Sequence, residues 1–117
     1  MNKFLARQGD VLIERVASLP GGLEPAERDS IGRVVLARGE AHDHTHALRN
    51  PLVCGFRVAG SEDVDYIEVG GSGAVLTHEY SSGVQADHDP VDLAPGVYRV
   101  VRQREYVAPQ IERRVVD

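Results

Sequence analysis

The chain has 117 residues, 42% of them hydrophobic and 26% charged, with a formal net charge of -5 at pH 7. That length and apolar fraction suit one compact domain over residues 1–117 with a modest core, and no run of about 18 apolar residues is present to span a membrane. The lone cysteine, Cys54, allows no intrachain disulfide, and its apolar setting in PLVCGFRV reads as a buried thiol rather than a nucleophile. A reducing compartment follows from that reading. The opening stretch MNKFLARQGD lacks the apolar segment of a signal peptide, so a cytoplasmic location is expected.

Charge is distributed unevenly. Between Arg57 and Arg99 the chain carries carboxylates from Glu62 to Asp92 and neither Lys nor Arg, which raises the local concentration of cations and disfavours nucleic acid. Arg99, Arg102, Arg104, Arg113 and Arg114 then make the C-terminal part basic. They read either as a site for an anion or partner or as a solvated strand face.

Taken in chain order, runs rich in Val, Ile, Leu and Tyr, broken by Gly, Pro, Asp and Asn, predict strands over 10–16, 32–38, 43–49, 52–58, 64–69, 73–80, 87–93 and 97–106. LPGGLEPAERD, after the first of these, is expected to be the longest loop. The tail APQIERRVVD is the one helical candidate, with Pro109 suited to a first turn and Ile111 and Val115 on one stripe. So many strands without intervening helices exclude a parallel βαβ sheet. The expected class is all-β, a small antiparallel barrel or a two-sheet sandwich.

GEAHDHTHALRNP places His42, His44 and His46 at every second position in a chain that holds five histidines. Alternation along a strand puts them on one face with Leu48, which points that face inward, while Asp43, Thr45, Ala47 and Arg49 read as a solvated face. In GAVLTHEY, His78 shares a face with Ala74, Leu76 and Tyr80, and Glu79 points away. Imidazoles two apart on a strand have Cα atoms about 7 Å apart, and their rings can converge on one ion at about 2.0 to 2.2 Å. His44, His46 and His78 are therefore the candidate metal ligands, with His88 in ADHDP as a fourth. His42, beside the turn, is left out. The competing reading is neutral histidines hydrogen-bonded in a core or exposed in a loop.

Two resemblances attach to these residues. QGDVLI (Gln8–Ile13), Gly39-Glu40 followed by His44-Thr45-His46, LTHE (Leu76–Glu79) and the run from Leu93 to Tyr106 resemble a group of small bacterial and phage-associated proteins almost end to end. In that group another histidine usually follows LTHE closely, whereas YSSGVQAD lengthens the connection to His88 here. More distantly, GEAHDHTH is similar to the first motif of the cupin superfamily, small metal-binding β-barrels. The resemblance implies a metal held by His44 and His46 with His78 or His88 as the distant histidine. No glutamate stands at the motif's expected spacing, because ALRNPL occupies that place.

The leading expectation is thus a metal-binding β protein holding a divalent transition metal, Zn, Fe, Ni, Cu or Mn, since an all-imidazole set does not choose among them. With three ligands the ion has an open position and can polarise a substrate oxygen or activate water, with Tyr80 as a proton donor; with four it is structural. The alternative is a non-catalytic binding or assembly module acting through edge strands and the Arg-rich C-terminal strand, where Arg102 and Arg104 share a face with Tyr98, Val100 and Tyr106. The partners these readings imply are a second copy of the chain or a small-molecule or anionic ligand. No nucleophile elbow or Gly-rich phosphate loop is present.

Overall fold

The computed structural model describes residues 4–38, 44–80 and 89–103, which form ten strands and no helix. The strands are β1 (Leu5–Gln8), β2 (Val11–Val16), β3 (Glu24–Ala26), β4 (Val34–Arg38), β5 (His44–Leu48), β6 (Val53–Arg57), β7 (Tyr66–Val69), β8 (Ala74–Tyr80), β9 (Val91–Leu93) and β10 (Gly96–Arg102). They make a six-stranded sheet in the order β1-β2-β10-β7-β6-β3 and a four-stranded sheet in the order β4-β5-β8-β9. Every pairing is antiparallel. Of the two expected architectures this is the sandwich, because the sheets keep separate edges instead of closing on each other. No helix among the described residues is long and apolar enough to cross a membrane.

The sheets pack through the alternating residues that period two assigns to one face. Val11 and Ile13 of β2, Ile67 and Val69 of β7, and Tyr98 and Val100 of β10 face Val34 and Leu36 of β4, Leu48 of β5, Leu76 of β8 and Leu93 of β9 in one core cluster. The expected strands at 87–93 and 97–106 appear as the shorter β9 and β10, and the expected C-terminal helix lies outside the described residues.

Two strands escaped the sequence reading. β1 pairs with β2 from Gln8↔Val11 outward, so that Gly9 and Asp10 alone make the turn, and Gly9 adopts the positive φ of 57° that such a hairpin needs. A Gly-Asp pair before an apolar run is a hairpin signal in its own right. β3 lies inside the expected loop. Its Pro25 is tolerated because β3 pairs only with β6, at the sheet's edge.

Cys54 corrects a second expectation. Val53 and Gly55 turn inward on β6, so alternation sends Cys54 outward, where it is exposed. Apolar neighbours in sequence had suggested burial, but on a strand with one buried face the immediate neighbours occupy the opposite side.

β8 is aligned with β9 at Ala74↔Leu93, directly after Gly73. Gly73 has φ of 102°, and a Cβ there would meet the Leu93 carbonyl oxygen at 2.7 Å. Gly73→Ala is therefore expected to lower the free energy of unfolding in urea by more than about 1 kcal/mol. Gly21→Ala, where a Cβ meets nothing within 4 Å, should leave the midpoint nearly unchanged. Equal midpoints for the two variants would contradict this account of the turn.

Candidate functional site

The site is set by the register of β5 against β8. His46 lies opposite His78, His44 opposite Tyr80, and Leu48 opposite Leu76. Directly opposed residues on one face bring their side chains into contact, and Leu48 and Leu76, both fully buried, fix that face as the interior one. His46 and His78 are each 4% exposed, and His44 is half-buried nearer the end of the sandwich. The His46 and His78 rings stack with centroids 4.4 Å apart and planes 23° apart. His44 meets His78 edge-on at 5.0 Å and Tyr80 edge-on at 4.8 Å. All three candidate ligands among the described residues are thus brought together, and the proton donor considered beside them, Tyr80, touches His44. His42, His88 and Arg104 lie outside the described residues.

Gln8, 2% exposed at the end of β1, reaches this face from the other sheet. Its Nε2 donates to the carbonyls of Leu76, at 3.0 Å, and Asp89, at 2.9 Å, and its Oε1 stands 2.8 Å from His46 Nδ1. Nothing in the residue pattern distinguished Gln8 as functional; it entered the sequence reading only through the QGDVLI resemblance.

Ring lone pairs lie in the ring plane, so two nearly parallel stacked imidazoles aim theirs side by side rather than at a common point. Accordingly, no group of three or more His, Cys, Asp or Glu side chains among the described residues is arranged to hold a metal ion. The donor chemistry fits a transition metal. Holding one on both His46 and His78 requires one ring of the stack to turn.

An open cleft of about 860 Å³ runs between the β4 and β3 edges of the two sheets, and His46 is among its lining residues. β4 carries a bulge between Val35 and Ala37, so that Ala37 pairs with His46 and the strand departs from regular pairing beside the histidine. Bulges re-aim side chains in this way. Arg102 ties the two sheets together at the cleft, donating from Nη1 to the carbonyls of Leu36, at 3.0 Å, and Val64, at 2.8 Å, and from Nη2 to Asp65 Oδ1 at 2.9 Å. The row Tyr98, Val100, Arg102 therefore faces the interior, with Tyr98 and Val100 in the core, and is not the exposed interface the sequence had allowed.

The opposite face of β5 and β8 corrects a further expectation. Thr45 and Ala47, read as solvated, are buried, and so is Glu79, which points away from the histidines as expected. Glu79 is bracketed by two guanidiniums: Arg33 Nη1 donates to Oε1 at 3.0 Å, and Arg49 donates from Nη2 to Oε1 at 2.9 Å and from Nε to Oε2 at 3.0 Å. The Thr77 hydroxyl adds a bond to Oε2 at 2.6 Å, and Arg33 Nε pairs in turn with Asp29 Oδ2 at 2.8 Å. Burial by itself raises the pKa of Glu79; the hydrogen bonds from Arg49, Thr77 and Arg33 outweigh it and hold the carboxyl at about 2. Arg49 is raised by the same bond, and for Asp29 the bonds and charge of Arg33 outweigh burial and lower the pKa. Alternation placed Arg49 on the face of Thr45 and Ala47, but it cannot reveal the network, because Arg33, paired with Asp29, reaches Glu79 from outside β5 and β8.

Fold and site together define an antiparallel β-sandwich with an interior imidazole cluster beside a charged cleft. Residues 7–103 match the family described as Domain of unknown function (DUF8820), and the chain belongs to that family. Neither the curated proteins nor the solved structures include a significant match to it.

Glu79 titrates lower in the folded chain than its ordinary value of 4.5, so its contribution to stability is complete above about pH 4.5 and is lost as the pH falls toward about 2. Thermal unfolding should show that loss over this window. Glu79→Gln should be less stable by about 1 to 3 kcal/mol at neutral pH, since it leaves the buried Arg33 guanidinium with Asp29 as its one remaining carboxylate. A variant as stable as the parent would remove the network from the account.

Proposed function

We propose that the protein binds a divalent transition-metal ion, one of Zn, Fe, Ni, Cu or Mn, through His44, His46 and His78, with His88 as a fourth ligand. The observation that carries this reading is the in-register opposition of His46 and His78 on an interior face, with the His44 ring touching His78. Three imidazoles gathered on one face at the edge of a core are the donor type that a divalent transition metal takes. An ion held by both His46 and His78 would require the stacked pair to part.

His46 also lines the cleft, which gives a small molecule a route to that neighbourhood. A bound ion there supplies Lewis acidity, and Tyr80, in contact with His44, is placed to give or take a proton. The assembly-module reading has less support. Arg102, on which it leaned, spends its donors on Leu36, Val64 and Asp65 within the chain.

Protein prepared without a histidine tag or chelating resin should carry close to one equivalent of metal by elemental analysis, or take it up on dialysis against one of the five metals. His46→Ala should lose most of it, while Cys54→Ser, altered on the exposed face of the other sheet, should keep it. Affinity should fall as the pH is lowered, because only neutral imidazole coordinates. Metal-free protein after dialysis against all five, or full retention by His46→Ala, would overturn the proposal.

A further inference from the structure

Gln8 makes three hydrogen bonds from a nearly fully buried position, and their chemistry fixes more than its own place. Leu76 and Asp89 present carbonyl oxygens, which only accept, so the atom facing both must be the amide nitrogen. The other end of the amide is then oxygen, and oxygen only accepts. His46 Nδ1, 2.8 Å from it, must carry a proton. In a neutral imidazole that leaves the lone pair on Nε2.

We infer that Gln8 is a positioning residue: it holds His46 in the Nδ1–H tautomer and fixes its ring, so that Nε2 is the atom through which His46 coordinates. The inference deepens the proposed function and rests on it for the word "coordinates", but the tautomer follows from the hydrogen bonds alone. A histidine ligand whose second nitrogen donates to a fixed acceptor is oriented and made more basic at the first. Gln8 reaches across from the other sheet, and its bond to Asp89 attaches the same amide to the residue that follows His88. One side chain thereby ties β5, β8 and the start of the segment leading into β9 around the histidine face.

The test reads the tautomer in metal-free protein at a pH above the histidine range, by long-range proton–nitrogen correlation of the His46 ring. The expected spectrum has Nδ1 protonated and Nε2 bare. In Gln8→Leu, which keeps the bulk and removes the acceptor, the ring should move toward the Nε2–H form, and zinc affinity should fall about 10- to 100-fold. An Nε2–H ring in the parent protein, or an unchanged tautomer and affinity in Gln8→Leu, would overturn the inference. If Gln8→Leu fails to fold, the parent spectrum alone decides. A parent protein that shows the Nδ1–H ring yet takes up no metal would sink the proposed function while leaving the tautomer assignment in place.

Discussion

Strand β5 is closed in on both faces, and the organisation of the site follows from that constraint. A two-stranded ladder such as β5 with β8 ordinarily leaves one side to water, where polar side chains cost nothing. Here Thr45 and Ala47 are as hidden as His46 and Leu48. Every buried polar group on the ladder must therefore find a partner inside the protein. Two separate networks meet that demand. On the inner side Gln8 serves His46 and the Leu76 carbonyl; on the outer side Arg33, Arg49 and Thr77 serve Glu79.

The two networks differ in kind, and the difference bears on function. The outer one joins full charges in close contact, and its carboxyl stays ionised throughout the physiological range. It fastens the Asp29–Arg33 segment to the sheet and offers no group ready to change state. The inner one is built of imidazoles and an amide, groups that can exchange one partner for another at modest cost. Its His46 ring borders a cleft that the β4 bulge and the Arg102 bridge keep beside it. Adaptable donors next to an open cleft are what a ligand site requires; a locked ion pair under a turn is what a stable wall requires.

Parity carried most of what the sequence made legible. Leu48 with His44 and His46, and Leu76 with His78, placed the three rings on one interior face, and the register confirms that their strands are neighbours. The same rule misjudged the outer face, because it states which residues share a side and not what covers that side. Arg33 stands just before β4, and nothing in its neighbourhood marks it as the partner of a glutamate 46 positions along the chain. Gln8 was invisible as a polar partner for the same reason, being 38 positions from His46. Cys54 failed through a different cause, since local hydrophobicity was weighed where alternation should have decided. β1 was overlooked although the Gly9-Asp10 turn announced it.

The account turns on whether these imidazoles meet at one ion, and X-ray absorption of the zinc-loaded protein tests that most directly. It predicts a first shell of nitrogen at about 2.0 to 2.1 Å with the outer-shell scattering of several imidazole rings. That signature should be reduced by one ring in His78→Ala. A shell of oxygen alone, or a spectrum in which His78→Ala changes nothing, would contradict it.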